Sequence, residues 1–377
     1  MEFRDLKSQY KKYKTKIDKA MIEVATNTNF ISGDQVKILE KLLAEYVGVK
    51  HCITCANGTD ALTLMMMVWD IKARDAVFIP DFTFFASGEV VSFAGATPIF
   101  VDVDKDTFNI DTKKLEESIK NVLNEGNLTP RAIIAVDLFG LPANYIEIEK
   151  IAKKYNLLVL EDAAQGFGGR IGDRKACSFG DAATTSFFPA KPLGCYGDGG
   201  AIFTNDDEVA KKIRSLSVHG KGEDKYDNVE IGMNSRLDTI QASILQVKLK
   251  AFIEHELGDV NKVYSLYNER LKGIVGVPVI PEGYYSSFAQ YTIILDSKEK
   301  RDKLQAYLKD NGIPSMIYYK KPMHKQLAFS NLVFDDCNYK VTNMLCDCVL
   351  SLPMHPYLTV EDIDIVCDSI KKSILRD

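Results

Sequence analysis

The chain has 377 residues, of which 46% are hydrophobic and 26% charged, and its net charge is −5. This is globular composition with room for two domains, and an acidic balance offers nucleic acid no basic footprint. No apolar run approaches the roughly 18 residues of a membrane span, and "MEFRDLKSQYKKYKTKI" lacks the apolar core of a leader peptide.

Short β-rich runs alternate with helical patterns through the first two thirds. "HCITCA" (51–56) leads to a helix from about Gly58 to Trp69. Its Cys52 and Cys55 form a C-x-x-C that reads as strand, since no second ligand pair with zinc spacing follows. Eight cysteines in so long a chain suggest reduced thiols and a cytoplasmic location, and the histidines at 51, 219, 255, 324 and 355 form no cluster, so no metal is expected. "DAVFIP" (75–80) precedes an apolar helix through "FASGEVVSFAG". "TPIFVDV" (97–103) leads to "DTKKLEESIKNVL", whose first residue, Asp111, is a helix cap. "RAIIAVDLFG" (131–140) leads to "YIEIEKIAKKYN", and "LLVLEDA" (157–163) completes the unit. This alternation predicts a mostly parallel sheet covered on both faces. "DAATTSFF" (181–188) and "GGAIFTN" (199–205) add two strands with no helix between them, so the sheet should be mixed.

From about Ser235 long helices take over. A smaller α/β region follows, with strand "QYTIILD" (290–296), a helix at 298–310 and a last helix near 361–375. The stretch "GIVGVPVIPEGYY" (273–285) is a candidate break. We divide the chain into a large domain, 1–250, and a small C-terminal α/β domain, 251–377.

Ligands of open α/β sheets bind outside the carboxyl ends of the strands. Three of these ends carry unusual residues. In "CANGTDAL" a strand runs through Gly58 and Thr59 directly into a helix, where free N–H groups and a hydroxyl could cradle a phosphate. The same turn could equally be an ordinary helix cap. In "LLVLEDAAQG", Asp162 ends an apolar run, where a carboxylate is costly unless it faces a cation. A turn-capping aspartate would explain the residue type, though not Gln165 and the small residues beside it. In "SFFPAKPLGCYGDGG", Lys191 stands between two prolines, pushed toward extended backbone and flanked by Phe187, Phe188 and Pro189. Burial there would lower its pKa and free the amine as a nucleophile; a snorkelling surface lysine is the bland alternative.

Together the three ends suit pyridoxal 5′-phosphate (PLP). A lysine forms the Schiff base, an aspartate pairs with the pyridine nitrogen, and the phosphate sits on a helix N-terminus. "DFTFFASGE" offers Phe84 and Phe85 as rings to lie against the cofactor. An NAD-dependent Rossmann enzyme is disfavoured because no G-x-G-x-x-G follows the first strand.

The chain resembles the DegT/DnrJ/EryC1/StrS sugar aminotransferases, which are fold-type I PLP enzymes. The likeness runs from "NFISGDQVKILEKLLAEYVGVKHCITCANGTDAL" through "PDFTFFA", "EDAAQGFGG" and "SFFPAKPLGCYGDGGAIFTND" to "HGKGEDKYDNVEIGMNSRLDTIQASIL". It implies a homodimer with shared active sites and a cofactor cycling through pyridoxamine 5′-phosphate. It makes Lys191 the Schiff-base lysine, Asp162 the pyridine partner, Gln165 a contact to the ring's polar edge and Phe84 the stacking ring. Gly58, Thr59 and Ser186 would hold the phosphate, with Asn234 reaching in from the neighbouring subunit. The implied reaction moves an amino group from L-glutamate to a nucleotide-linked keto-sugar, in amino-sugar and surface-polysaccharide (O-antigen) synthesis. Lys191 argues against the dehydratases of this fold, which lack the lysine. The lysine motif is similar to the branch that aminates C3 of UDP-2-acetamido-2-deoxy-3-oxo-glucuronate. For that sugar's carboxylate Arg236 is a candidate partner, or else it pairs with Asp238. Tyr318 and Tyr319 fall where the branch contacts substrate, but a His-Tyr pair is the pattern there, so Tyr318 departs from it. Another nucleotide keto-sugar, or a non-catalytic regulatory member, is the alternative.

Overall fold

In the computed structural model, which describes residues 1–224 and 226–374, the strand–helix alternation closes into one seven-stranded sheet. Its strands are β1 (His51–Cys55), β2 (Asp75–Pro80), β3 (Thr97–Val101), β4 (Thr129–Val136), β5 (Leu158–Asp162), β8 (Ala182–Ser186) and β9 (Gly200–Thr204). The order is β1-β9-β8-β5-β4-β2-β3. β9 alone runs against its two neighbours; the other pairings are parallel, so the sheet is mixed as expected. The short strands β6 (Arg170–Ile171), β7 (Arg174–Lys175) and β10 (Tyr284–Tyr285) form a small separate sheet.

The two-residue period of the strands decides which layer each side chain joins. In β2, Val77 and Ile79 pack with α3 (Gly58–Val68), α4 (Ala86–Phe93) and α7 (Asp207–Leu216). Ala76 and Phe78 pack on the other face with α5 (Thr112–Glu125) and α6 (Tyr145–Tyr155). Further along that face, α2 (Asp34–Val47) and α8 (Thr239–Ala251) cover Cys52, Ala183 and Phe203. The strand with two buried faces is therefore apolar without alternation, the pattern that marked it in the sequence. Asp111 caps α5 as expected, its Oδ1 accepting from the N–H of Lys113 at 2.8 Å and of Lys114 at 3.1 Å.

α8 continues through a π-helical turn, Phe252–Glu256, into α9 (Leu257–Leu271), so residues 250 and 251 lie in one helical run. Beyond it, α9, α10 (Lys298–Asp310), α12 (Val360–Ile374) and the antiparallel pair β11 (Tyr291–Ile294) and β12 (Val349–Leu352) share a core of their own. α11 (Lys340–Cys348) leads into β12. The last expected helix ends at 374, and residue 375 lies outside the described residues. Several elements went unread, among them α2, α7, α11, β12 and α1 (Leu6–Asn27), whose buried positions are only Gln9, Ile17 and Val24, too few for a legible apolar stripe.

Two acids lie buried beneath the carboxyl edge of the sheet. Glu161 accepts from the N–H groups of Cys177 at 2.7 Å and Phe179 at 2.8 Å. Asp137 Oδ1 accepts from Ala143 N–H at 3.0 Å and the Tyr145 hydroxyl at 2.8 Å, while its Oδ2 has no partner among the described residues. Burial pushes the Asp137 carboxyl up to about 7, and burial with the charge of Asp137 raises Glu161 well above the usual carboxylate range. Near neutral pH the folded protein thus holds a proton that the unfolded chain releases near an aspartate's usual 3.8. The stability this confers is whole at acid pH and is lost as pH rises through about 7. Asp137→Asn should flatten that loss, by at most a few kcal/mol, in urea unfolding of the cofactor-free protein across this range. Parallel loss in wild type and variant would show that the pair carries no such proton.

Candidate active site

β1, β2, β5 and β8 all end at one edge of the sheet, because every connection between the parallel strands returns the chain to the opposite edge. Gly58, Phe84, Asp162, Gln165, Ser186, Lys191 and Tyr319 gather along it, while no contact among the described residues joins Arg236 to them.

At the end of β1, the Asn57 side chain accepts from Asp60 N–H at 2.8 Å and starts α3. The N–H groups of Gly58 and Thr59 are left without an intrahelical acceptor, aimed out along the positive end of the helix. A Cβ on Gly58 would stand 2.8 Å from Ser186 Cβ and 3.3 Å from its hydroxyl, so glycine keeps open a cradle that a side chain would fill. Gly200, the first residue of β9, allows the same turn to seat itself: a Cβ there would lie 2.4 Å from the Asn57 carbonyl oxygen. Ser235 Oγ accepts from Ala56 N–H at 3.0 Å and holds the turn from below. Asn234, the neighbour of Ser235, is exposed, and its side chain has no partner among the described residues.

At the end of β5, Asp162 is 4% exposed. Its Oδ2 accepts from the Ser87 hydroxyl at 2.8 Å and its Oδ1 from Ala164 N–H at 3.2 Å. Burial raises its pKa against the pull of these donors and of Lys191. Lys191 responds the opposite way: burial lowers the pKa of its amine, and the charge of Asp162 opposes this. The two groups attract, yet no direct ion pair joins them among the described residues. Each is a charge that burial disfavours and that no partner of opposite charge touches among the described residues.

The surroundings of Lys191 differ from expectation. Phe187 is fully buried, but in the layer beneath the sheet, and Phe188 is 52% exposed. Successive residues leaving a strand point to opposite sides, so these rings do not both flank the lysine. Its N–H closes a turn on the Phe188 carbonyl at 2.9 Å.

Gln165 Oε1 accepts from Phe139 N–H at 2.8 Å, and Nε2 donates to the Tyr319 hydroxyl at 3.1 Å, which fixes the amide's orientation. Phe84 is 56% exposed and meets only Tyr319, with ring centroids 6.4 Å apart. Its neighbour Phe85 turns into the core against Phe329. Tyr318 is half-buried beside Phe3, at 6.3 Å between ring centroids. Arg236 is half-buried and forms no ion pair among the described residues, with Asp238 or any other acid.

Two participants escaped the sequence reading: Ser87, which holds Asp162, and Arg4, whose guanidinium donates to the Lys191 carbonyl at 3.0 Å. Neither stands in a motif near its partner.

The profile of the DegT/DnrJ/EryC1/StrS aminotransferase family matches residues 11–371. A UDP-2-acetamido-2-deoxy-3-oxo-D-glucuronate aminotransferase of Pseudomonas aeruginosa is 43% identical, over 98% of this chain and 99% of that protein. A crystal structure of a DegT DnrJ EryC1 StrS aminotransferase from Brucella abortus superposes with a TM-score of 0.96 at 47% identity, covering 99% of both chains. The structure of NtdA from Bacillus subtilis, with bound cofactor PMP, superposes at 0.86 with 29% identity, over 96% of this chain and 82% of that one.

Proposed function

Because the chain belongs to the DegT/DnrJ/EryC1/StrS aminotransferase family, we propose that the edge described above transfers an amino group from L-glutamate to a nucleotide-linked keto-sugar. The protein is an aminotransferase that uses PLP and returns it through the pyridoxamine form. The observation that carries this reading is that Lys191, half-buried, and Asp162, buried, attract one another yet form no ion pair among the described residues. A flat cation with an electrophilic arm would answer both, and the open cradle at Gly58 and Ser186 suits a phosphate.

When bound, the cofactor supplies a reactive carbonyl carbon and a ring that withdraws electrons. The remaining work belongs to side chains. Asp162 would hold the pyridine nitrogen in its protonated form; a cation there would relieve the cost of burying the carboxylate, and Ser87 keeps that carboxylate aimed. Gln165 has a second N–H, beyond the one given to Tyr319, for the ring's polar edge. Phe84, more than half exposed, would lie against the ring face. Gly58, Thr59 and Ser186 would hold the phosphate, joined by Asn234 from a second copy of the chain. Lys191 Nζ, its pKa lowered by burial, can be neutral often enough to take the proton from the donor's Cα and return it at the acceptor.

For the acceptor we propose C3 of UDP-2-acetamido-2-deoxy-3-oxo-glucuronate, making a building block of a surface polysaccharide such as an O-antigen. The Pseudomonas relative's name supports this, and so does Arg236, a guanidinium with no acid of its own. Tyr318 and Tyr319 would line the sugar's side of the pocket. A homodimer is supported by exposed apolar side chains near the site, among them Phe30, Ile31, Phe188 and Ile231. The division into 1–250 and 251–377 draws support for two units from the separate core that begins at Val260, although Phe252 packs with the sheet and Met323, Phe329 and Tyr339 pack against α4 and β3. A cytoplasmic location accords with eight cysteines free of disulfides, and no helix among the described residues is long and apolar enough to cross a membrane.

Borohydride reduction of the cofactor-loaded protein should label one peptide, the one carrying Lys191, and Lys191→Ala should lose turnover while still binding cofactor without a covalent link. A label on any other lysine ends the assignment. For the sugar, wild type should prefer the 3-keto acid to its 6-hydroxy counterpart by about tenfold or more, and Arg236→Ala should erase that preference. Equal loss on both substrates would mean that Arg236 does not read the carboxylate. For the shared site, inactive Lys191→Ala and inactive Asn234→Ala chains should regain part of the activity after subunit exchange. A monomer by sedimentation, or no recovery after verified exchange, removes the two-chain site.

A further inference from the structure

We propose that Arg4 is a positioning residue for Lys191, fastening the main chain of the lysine from outside the catalytic space. This rests on the reading of Lys191 as the cofactor lysine. The stretch is held on either side, where Cys195 N–H donates to the Phe187 carbonyl at 2.8 Å and Leu193 is buried, and less firmly at the lysine itself. It is not helical and belongs to no sheet; the Lys191 N–H is spent on the turn to Phe188, and Pro192 has no N–H at all. At residues 191 and 192 themselves, the two carbonyl groups are the backbone groups left to fix the main chain.

Arg4 takes both. Nη2 donates to the Lys191 carbonyl at 3.0 Å and to the Pro192 carbonyl at 3.5 Å, and Nη1 donates to the Met354 carbonyl at 3.4 Å. A guanidinium suits this task because its planar fork can serve several acceptors at once and stays charged even where burial lowers its pKa, as it does here. The charge is answered by Glu256, a carboxylate 4% exposed that is held by Gln9 Nε2 at 2.9 Å and by the Tyr357 hydroxyl.

The rest of the N-terminus keeps Arg4 in register. Met354 N–H donates to the Phe3 carbonyl at 3.2 Å, His355 Nε2 lies 3.2 Å from the Glu2 carbonyl oxygen, and Asp5 caps α1 through Ser8 N–H at 2.8 Å. Residues 2–5 thereby strap the lysine loop to the segment after β12, and Phe3 rests on Tyr318 at the proposed sugar side. Arg4 touches neither the amine nor the cofactor space; its effect passes through the backbone of Lys191.

The test compares wild type with Arg4→Met, which keeps the length of the side chain but has no donors, and Arg4→Lys, which keeps charge without the fork. Melting and circular dichroism establish that each is folded. In Arg4→Met, kcat should fall by about tenfold to a hundredfold with KM for the sugar little changed, since a misplacement of one ångström costs about that much. Arg4→Lys should recover only part of it. A second readout needs no cofactor: the pH profile of Lys191 modification by an amine-acylating reagent, followed by mass spectrometry. A loosened loop admits water to the amine, so the midpoint should move up in Arg4→Met, toward an ordinary lysine. A variant that is merely less stable but folded would leave that midpoint in place. Wild-type kcat and an unmoved midpoint, in a protein whose borohydride label still falls on Lys191, would overturn the role of Arg4. Loss of the label from Lys191 in wild type would instead overturn the reading of the site. If Arg4→Met does not fold, Arg4→Lys supplies both readouts, and its identity with wild type in both would sink the proposal.

Discussion

A half-buried amine and a buried carboxylate, held apart, set the terms for everything around them. Attraction between unit charges grows as they approach and as the surroundings dry, so Lys191 and Asp162 would gain by meeting. They do not meet because each is anchored elsewhere: Asp162 by Ser87 Oγ and Ala164 N–H, and Lys191 by its turn and by the guanidinium behind its carbonyl. The cost of leaving both unpaired is the reserve that a bound cation with an electrophilic group can draw on. Structure is spent in keeping that gap open.

The sheet makes such an arrangement possible. Parallel strands joined by right-handed crossovers deliver all their carboxyl ends to one edge, so residues far apart in the chain arrive side by side without dedicated loops. Asp162 leaves β5, Ser186 leaves β8 and Gly58 opens the helix after β1, and the pairings of β8, β9 and β1 fix their spacing. Small residues then set the clearance. Gly58 against Ser186 and Gly200 against Asn57 are close approaches at which a methyl group would collide. Asp137 and Glu161 obey the same constraint: below the edge, a second pair of acids is buried where burial disfavours the charge of each.

The helical run through residues 239–271 and the N-terminal strap bind this sheet to the C-terminal core. That connection matters because Tyr318 and Tyr319, proposed to line the sugar's side, come from beyond α10, while Asp162 and Gln165 come from the end of β5. Tyr319 reaches across to Gln165, and Arg4 ties the lysine loop to Met354. A pocket assembled from two cores needs such ties if a proton is to travel between fixed atoms.

What was legible in the sequence was whatever depends on neighbours along the chain. Apolar runs marked the strands, Asp111 announced the start of α5, and a glycine at a strand-to-helix turn marked the cradle, because burial, capping and close approach are properties of short segments. Asp162 and Lys191 stood out for the same reason, as charged residues in stretches that could not solvate them. The side to which Phe187 and Phe188 turn was misjudged, since that depends on where β8 ends against β9. α1 was passed over because its contact with α8 leaves only a few buried positions. Ser87 lies 75 residues from Asp162, and Arg4 lies 187 from Lys191. No local rule joins such pairs; they meet only once strand order and the docking of the N-terminus have been settled. Composition and spacing determined which groups could not be left in water, and the tertiary structure decided what each would face, because a hydrogen bond acts over about three ångströms of space whatever the length of chain between its ends.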